Sequence, residues 1–237
     1  MSIANANDVE LDPEIAFTDF EKAILNAIAR VFPETETKGC FFHLSQNFYK
    51  HIQRYGISAD FNSDRTMFMF FKKVQALAFV PLENVIMAYN ELKKICPGKM
   101  TPFIQYIEET YILGNIRKRK NDGSIVRSRP LFEPKLWNMF QNVQNNLPRT
   151  TNQQEGWHNR WRTLSSNKGY YQTVHNLIKE QRHTEGEILL ILQRTPQPSR
   201  NIKDTEKNEK LLRITSSFKD FVDIQDYLMG VALILKD

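Results

Sequence analysis

Apolar positions along the chain alternate between short runs and long helical stripes. Ile15, Ala16 and Phe17, between Pro13 and Thr18, read as a short buried strand. Phe20, Ala23, Ile24, Ala27, Ile28 and Val31 then follow a helical period and predict one apolar face against a core. Thr18-x-x-Glu21 has the form of a capping box at the start of that helix, and Pro33 lies just past its end. Residues 38–42 give a second strand. A helix from about His43 to Tyr55 follows, carrying Leu44, Phe48 and Ile52. Strand, helix and strand in so short a span predict a parallel βαβ unit.

From Asp64 onward the period is helical. Met67, Phe70, Phe71, Val74, Leu77 and Ala78 form one stripe; Val85, Ile86, Tyr89 and Leu92 form another; a third runs from about Pro102 to Leu113. Residues 117–129 break the pattern, and with Gly123 inside and Pro130 behind they read as an irregular loop. Helices resume near 135–146, 152–164 and 170–193. Pro196, Pro198 and the charged run 203–210 read as a linker. An amphipathic helix carrying Phe218, Phe221, Val222, Leu228, Met229, Ala232 and Leu235 ends the sequence. No internal repeat is visible.

Composition adds limits. Length and a 41% apolar content suit a folded chain with a sizeable core. Two cysteines, Cys40 and Cys96, exclude a disulfide scaffold and a four-cysteine zinc site. No apolar run is long enough to cross a bilayer, so no membrane is expected, and no signal peptide is expected at the acidic start. The net charge of +5 is concentrated. Arg117, Lys118, Arg119, Lys120, Arg127 and Arg129 stand against one acid, Asp122, while the other basic and acidic residues balance.

Three places could carry chemistry. Asp19 stands at a strand-to-helix junction. A carboxylate there can hold a metal ion at the open end of a parallel strand, or simply favour the dipole of a helix's first turn. Cys40-x-x-His43 supplies half a zinc site, without a second pair, or a buried thiol beside a helix start. In the run 152–164, helical geometry puts Trp157, Trp161 and Leu164 on a core face. Glu155, His158, Asn159 and Arg162 share the opposite face, a polar set suited to a metal-bound phosphate. Arg149, Thr150, Thr151 and Asn152 add phosphate-binding donors ahead of it. Asn152-x-x-Glu155 also has the form of a capping box.

Together these blocks resemble the Mutator-like element (MULE) transposases. The resemblance rests on Phe17-Thr18-Asp19-Phe20-Glu21-Lys22-Ala23, Gly39-Cys40-Phe41-Phe42-His43-Leu44-Ser45-Gln46 and Leu77-Ala78-Phe79-Val80-Pro81. It continues in Phe132-x-x-x-x-Trp137-Asn138, Pro148-Arg149-Thr150-Thr151-Asn152 and Glu155-Gly156-Trp157-His158-Asn159. Order and spacing agree from about residue 13 to 190. The resemblance implies an α/β, mostly helical chain: a truncated ribonuclease-H-like core (strand-helix-strand) with a large all-α insertion. Residues 1–57 would be the partial core, 58–149 the helical insertion with its basic loop, 150–195 the closing core helices, and 196–237 a linker and amphipathic helix.

The same resemblance implies an Asp, Asp, Glu set that binds two Mg2+ or Mn2+ ions for in-line attack on phosphodiesters. Asp19 matches the second carboxylate and Glu155 the third; Cys40, His43 and His158 match accessory positions. One departure stands out. The first carboxylate belongs on a strand well ahead of the Asp19 block. Asp8 and Asp12 are too near Asp19 to leave room for the intervening strands and helix. The chain is therefore expected to correspond to the carboxyl-terminal part of a transposase core, inactive alone, with the Asp19 strand left as a sheet edge.

The implied partners are DNA and either a second copy or a complementing transposase chain, and the implied location is nuclear. DNA contact is expected at Arg117, Lys118, Arg119, Lys120, Arg127, Arg129, Arg149, Asn152 and Arg162. The four consecutive basic residues also have the form of a nuclear import signal. The alternative function is a non-catalytic DNA-binding or domesticated nuclear protein derived from a transposase.

Overall fold

The computed structural model describes residues 12–150, 152–166, 169–194 and 202–236, with only the backbone of 152–155 and 203. These residues fall into two compact units, one within Met1–Thr150 and Lys207–Asp237, the other within Thr151–Glu206. The described chain is mostly helical with a few short strands.

The first unit opens with the expected βαβ unit. Strand β1 (Ile15–Thr18) is followed by α1 (Lys22–Val31) and β2 (Glu36–Gly39), and the strands pair in parallel with Ile15 opposite Glu36 and Thr18 opposite Gly39. Among the described residues β2 is the only strand neighbour of β1. The expected capping box is not formed. Thr18 belongs to the strand, Glu21 is the N-cap, and no side chain caps the helix. Asp19 accordingly sits in the connection and not in a helical first turn.

Helix α2 (Phe41–Arg54) buries Leu44, Phe48 and Ile52. Helices α3 (Ser58–Ser63), α4 (Arg65–Ala76), α5 (Val85–Lys94) and α6 (Thr101–Ile107) follow. Asp64 caps α4 by accepting from the Thr66 N–H at 2.7 Å. A π-helical turn, Glu108–Ile112, continues α6. The expected irregular loop is instead a β-hairpin, β3 (Ile116–Arg119) with β4 (Ile125–Arg127), antiparallel. Ile116, Ile125 and Val126 are β-branched, and Asp122-Gly123 between the strands makes the turn, Gly123 lying at φ +82°. The basic composition hid this pattern.

The helix expected over 135–146 is two short ones, α7 (Pro134–Trp137) and α8 (Phe140–Gln144). Asn138 breaks them apart because its side chain is engaged elsewhere: its amide donates to the Val80 carbonyl at 2.7 Å and its oxygen accepts from the Phe140 N–H. The charged run read as a linker is helical, within α11 (Ile202–Ser216). The reason is local: Leu211, fully buried, and Ile214 lie on its inward face, so the charges occupy the outer one. Helix α12 (Ile224–Lys236) buries Tyr227, Leu228, Val231, Ala232 and Leu235 against α4 and α5. Lys72 donates to the Leu235 carbonyl at 3.2 Å and Lys73 to Gln225 at 3.3 Å along that seam.

The second unit holds α9 (Asn152–Ser165) and α10 (Tyr170–Leu192). Glu180 joins them, accepting from the Trp157 indole at 2.7 Å and from Arg160. Asn176 donates to the Leu164 carbonyl at 2.6 Å. The expected core face is only half covered: Trp157 and Leu164 are exposed and Trp161 is half-buried. Within this unit the two described helices can bury only the faces they turn to each other.

Candidate functional site

Parallel pairing places the ends of β1 and β2 side by side. The Cys40 N–H donates to the Thr18 carbonyl at 2.8 Å, so Asp19 and Cys40 leave adjacent strands at the same end of the sheet. The Phe41 N–H donates to the Arg149 carbonyl at 2.9 Å, which brings the Arg149 segment to the same end. Three stretches far apart in sequence therefore converge at the carboxyl ends of the two strands, where open α/β sheets place their sites.

Aromatic packing holds this end in register. The Phe20 ring lies edge-on to Phe132 at 5.1 Å and to Tyr111 at 6.1 Å. Phe41 lies edge-on to Phe79 at 4.9 Å. The Met139 N–H donates to the Ala78 carbonyl at 2.6 Å, beside the Asn138–Val80 bond, and the Tyr227 hydroxyl donates to the Phe79 carbonyl. The buried Leu77–Pro81 block is thus a hub on which the Trp137-Asn138 block, α12 and the Phe41 turn all close.

Asp19 is half-buried, and its Oδ1 is buried with no hydrogen-bond partner. An unpartnered carboxylate oxygen out of water is costly unless something supplies positive charge. Hard carboxylate oxygen suits Mg2+ or Mn2+. Cys40 is fully buried at the N-cap of α2, and His43 is half-buried one turn on. Thiol and imidazole are soft or intermediate ligands, so they fit a hard divalent ion less well than Asp19 does. Among the described residues no three His, Cys, Asp or Glu side chains cluster as metal ligands. The side chains of Glu155 and Asn152 lie outside the described residues; both positions belong to α9. His158, Asn159 and Arg162 are exposed on that helix.

The basic positions divide. Arg117, Lys118, Arg119 and Lys120 are exposed along the hairpin. Arg129 is 91% exposed and 3.8 Å from Glu133. Arg127 is turned inward: it donates to the Gly114 carbonyl at 2.7 Å and pairs with buried Glu108. Arg149 donates to Asn208 and stands 6.0 Å from the Phe79 ring centroid, so its guanidinium is held within the first unit.

Glu108 was not among the sequence candidates. It sits at the π-helical turn and accepts from Tyr89 at 2.7 Å, Lys93 and Arg127. Burial pushes its carboxyl up, but the three donors outweigh that and hold it below the usual carboxylate range. The sequence signal was an acid in the same stripe as Ile104 and Tyr111.

Residues 1–47 match the model of the MULE transposase domain. The match covers Asp19, Cys40 and His43. No curated protein and no solved structure matches the chain. No helix among the described residues is long and apolar enough to cross a membrane.

Proposed function

We propose that the chain is a DNA-acting part of a MULE transposase core of ribonuclease-H-like type. Asp19 would be the second carboxylate of its metal site and Glu155 the third. The observation that carries this is the buried, unpartnered Oδ1 of Asp19 at the end of β1, beside Cys40 and the Arg149 segment. Divalent ions in such a site supply charge stabilisation and activation of the attacking oxygen. Asp19 and Glu155 would hold the ions, Cys40, His43 and His158 would be accessory to them, and Asn152 and Arg162 would contact DNA. By motif spacing the core would be 1–57 and 150–195, with 58–149 as the helical insertion. DNA is the partner, Mg2+ or Mn2+ the cofactor, and the nucleus the place of action.

By itself the 237-residue chain presents only two of the family's three carboxylates in motif register. A further carboxylate, supplied by another segment or chain, would complete the set.

Purified protein tests this in two ways. Manganese should raise the unfolding temperature through binding to the native state, and Asp19→Asn should remove that increment. An increment that survives Asp19→Asn removes Asp19 from the site. Supercoiled DNA should remain uncut with either ion; nicking abolished by Glu155→Ala would show that the chain is active alone.

A further inference from the structure

The hairpin β3–β4 projects from the first unit on a fixed base. Gly114, at φ +82°, opens it, and a Cβ there would stand 1.9 Å from the Ser128 carbonyl oxygen. Asn115 and Ser128 exchange hydrogen bonds across the base: the Ser128 N–H donates at 2.9 Å and the Asn115 N–H donates to the Ser128 hydroxyl at 3.1 Å. Arg127 adds its bonds to Gly114 and Glu108. The tip is closed tightly as well. Lys120 N–H donates to the Ser124 carbonyl at 2.9 Å, and the Ser124 N–H to Asp122 at 2.8 Å. Residues 115–126 are exposed throughout.

The register decides where the charges point. Lys118 is opposite Val126 and Arg119 opposite Ile125, with the irregularity between Ile116 and Lys118. Successive strand residues face opposite sides, so Lys118 and Arg119 lie on opposite faces of the ribbon. A flat anionic surface would use one face only. A groove walled by two phosphate rows uses both. The ribbon rises roughly 15 Å from base to tip at strand spacing, enough to reach the floor of a B-DNA major groove about 8.5 Å deep. That groove, about 12 Å wide, admits a two-stranded ribbon; the minor groove, about 6 Å wide, does not.

We infer that this ribbon inserts into the major groove of duplex DNA. Lys118 and Arg119 reach phosphates on opposite walls, and Arg117 and Lys120 extend the contact along them. The inference rests on the DNA-binding reading above and specifies how that binding is made. Duplex RNA is disfavoured, because its deep, narrow major groove does not admit the ribbon.

The test measures affinity of the full chain for duplex DNA against salt. Lys118→Ala and Arg119→Ala, one on each face, should each reduce the slope of log K on log salt by about 1. Neutralising all four of Arg117, Lys118, Arg119 and Lys120 should reduce it by about 3 to 4. Thermal unfolding of each variant should match the parent, since these side chains are exposed. Duplex whose major groove is filled with glucosylated hydroxymethylcytosine should bind about tenfold or more weakly, as should the duplex RNA of the same sequence. The inference is overturned if only one face contributes, if groove filling has no effect, if RNA binds as tightly, or if the fourfold variant binds like the parent. In each of those cases the DNA reading itself stands. An unmodified chain that does not bind DNA overturns both.

Discussion

Glu108 is the residue on which the hairpin's position turns. Its carboxylate holds three donors from two elements: Tyr89 and Lys93 on α5, and Arg127 on β4. Burial works against the charge, but the donors prevail, and the folded-state pKa lies below the ordinary one. The sign follows. The stabilisation is fully present above the unfolded value, about 4.3, and is lost as pH falls through the depressed folded value. Glu108→Gln should therefore lower stability at neutral pH by about 1–3 kcal/mol. It should also flatten the acid limb of a plot of unfolding free energy against pH from 7 down to 3. A variant whose acid limb is as steep as the parent's would mean the carboxylate is not the group that titrates. Cys96 behaves oppositely: burial pushes its thiol up to about 11, so it stays protonated at neutral pH.

At the scale of elements, periodicity was enough for most helices and for the βαβ unit, because each buries a stripe or a run that its own sequence spells out. Asp19, Cys40 and the Arg149 segment were legible as separate motifs; their convergence depends on two backbone hydrogen bonds that no local pattern encodes. The hairpin was missed because four cations masked a β-branched pattern, and the helix break at Asn138 because its cause is a bond to distant Val80. The Gly39 position shows how tightly β2 is fitted. A Cβ there would stand 2.6 Å from the Phe20 ring, and that ring is held between Tyr111 and Phe132. Gly39→Ala should cost about 1–3 kcal/mol by overpacking, read as a fall in the denaturation midpoint at unchanged m-value. Truncating the clashing ring partly relieves this, so the double variant with Phe20→Leu should lose less than the two single losses added together. Additive losses would show that β2 and the Phe20 ring are not packed together.

The whole molecule distributes its apolar surface unevenly. Helices α4–α6 and α12, with the Leu77–Pro81 block, share one dense core, in which Phe79, Val80, Tyr89, Leu92, Phe103 and Leu228 are completely buried. Helix α1 has as clear an apolar stripe as any helix in the chain, yet none of its residues is buried, and Ile24 and Val31 are 39% and 64% exposed. Among the described residues the stripe on α1 is thus an amphipathic pattern without a layer over it, at the same end of the chain as β1, whose one described strand neighbour is β2. A core-facing Val replaced by Lys costs several kcal/mol, because an ammonium is forced out of water; a surface position tolerates the change within about 0.5 kcal/mol. Val31→Lys should accordingly leave the unfolding midpoint of the isolated chain within that small range, whereas Leu228→Ala, in the dense core, should cost about 2–5 kcal/mol. If Val31→Lys is as damaging as Leu228→Ala, the stripe is covered in solution and α1 belongs to a core. If it is harmless, the core of the first unit is built by α4–α6 and α12, and the βαβ unit is held to it chiefly by Phe20, Phe41 and α2.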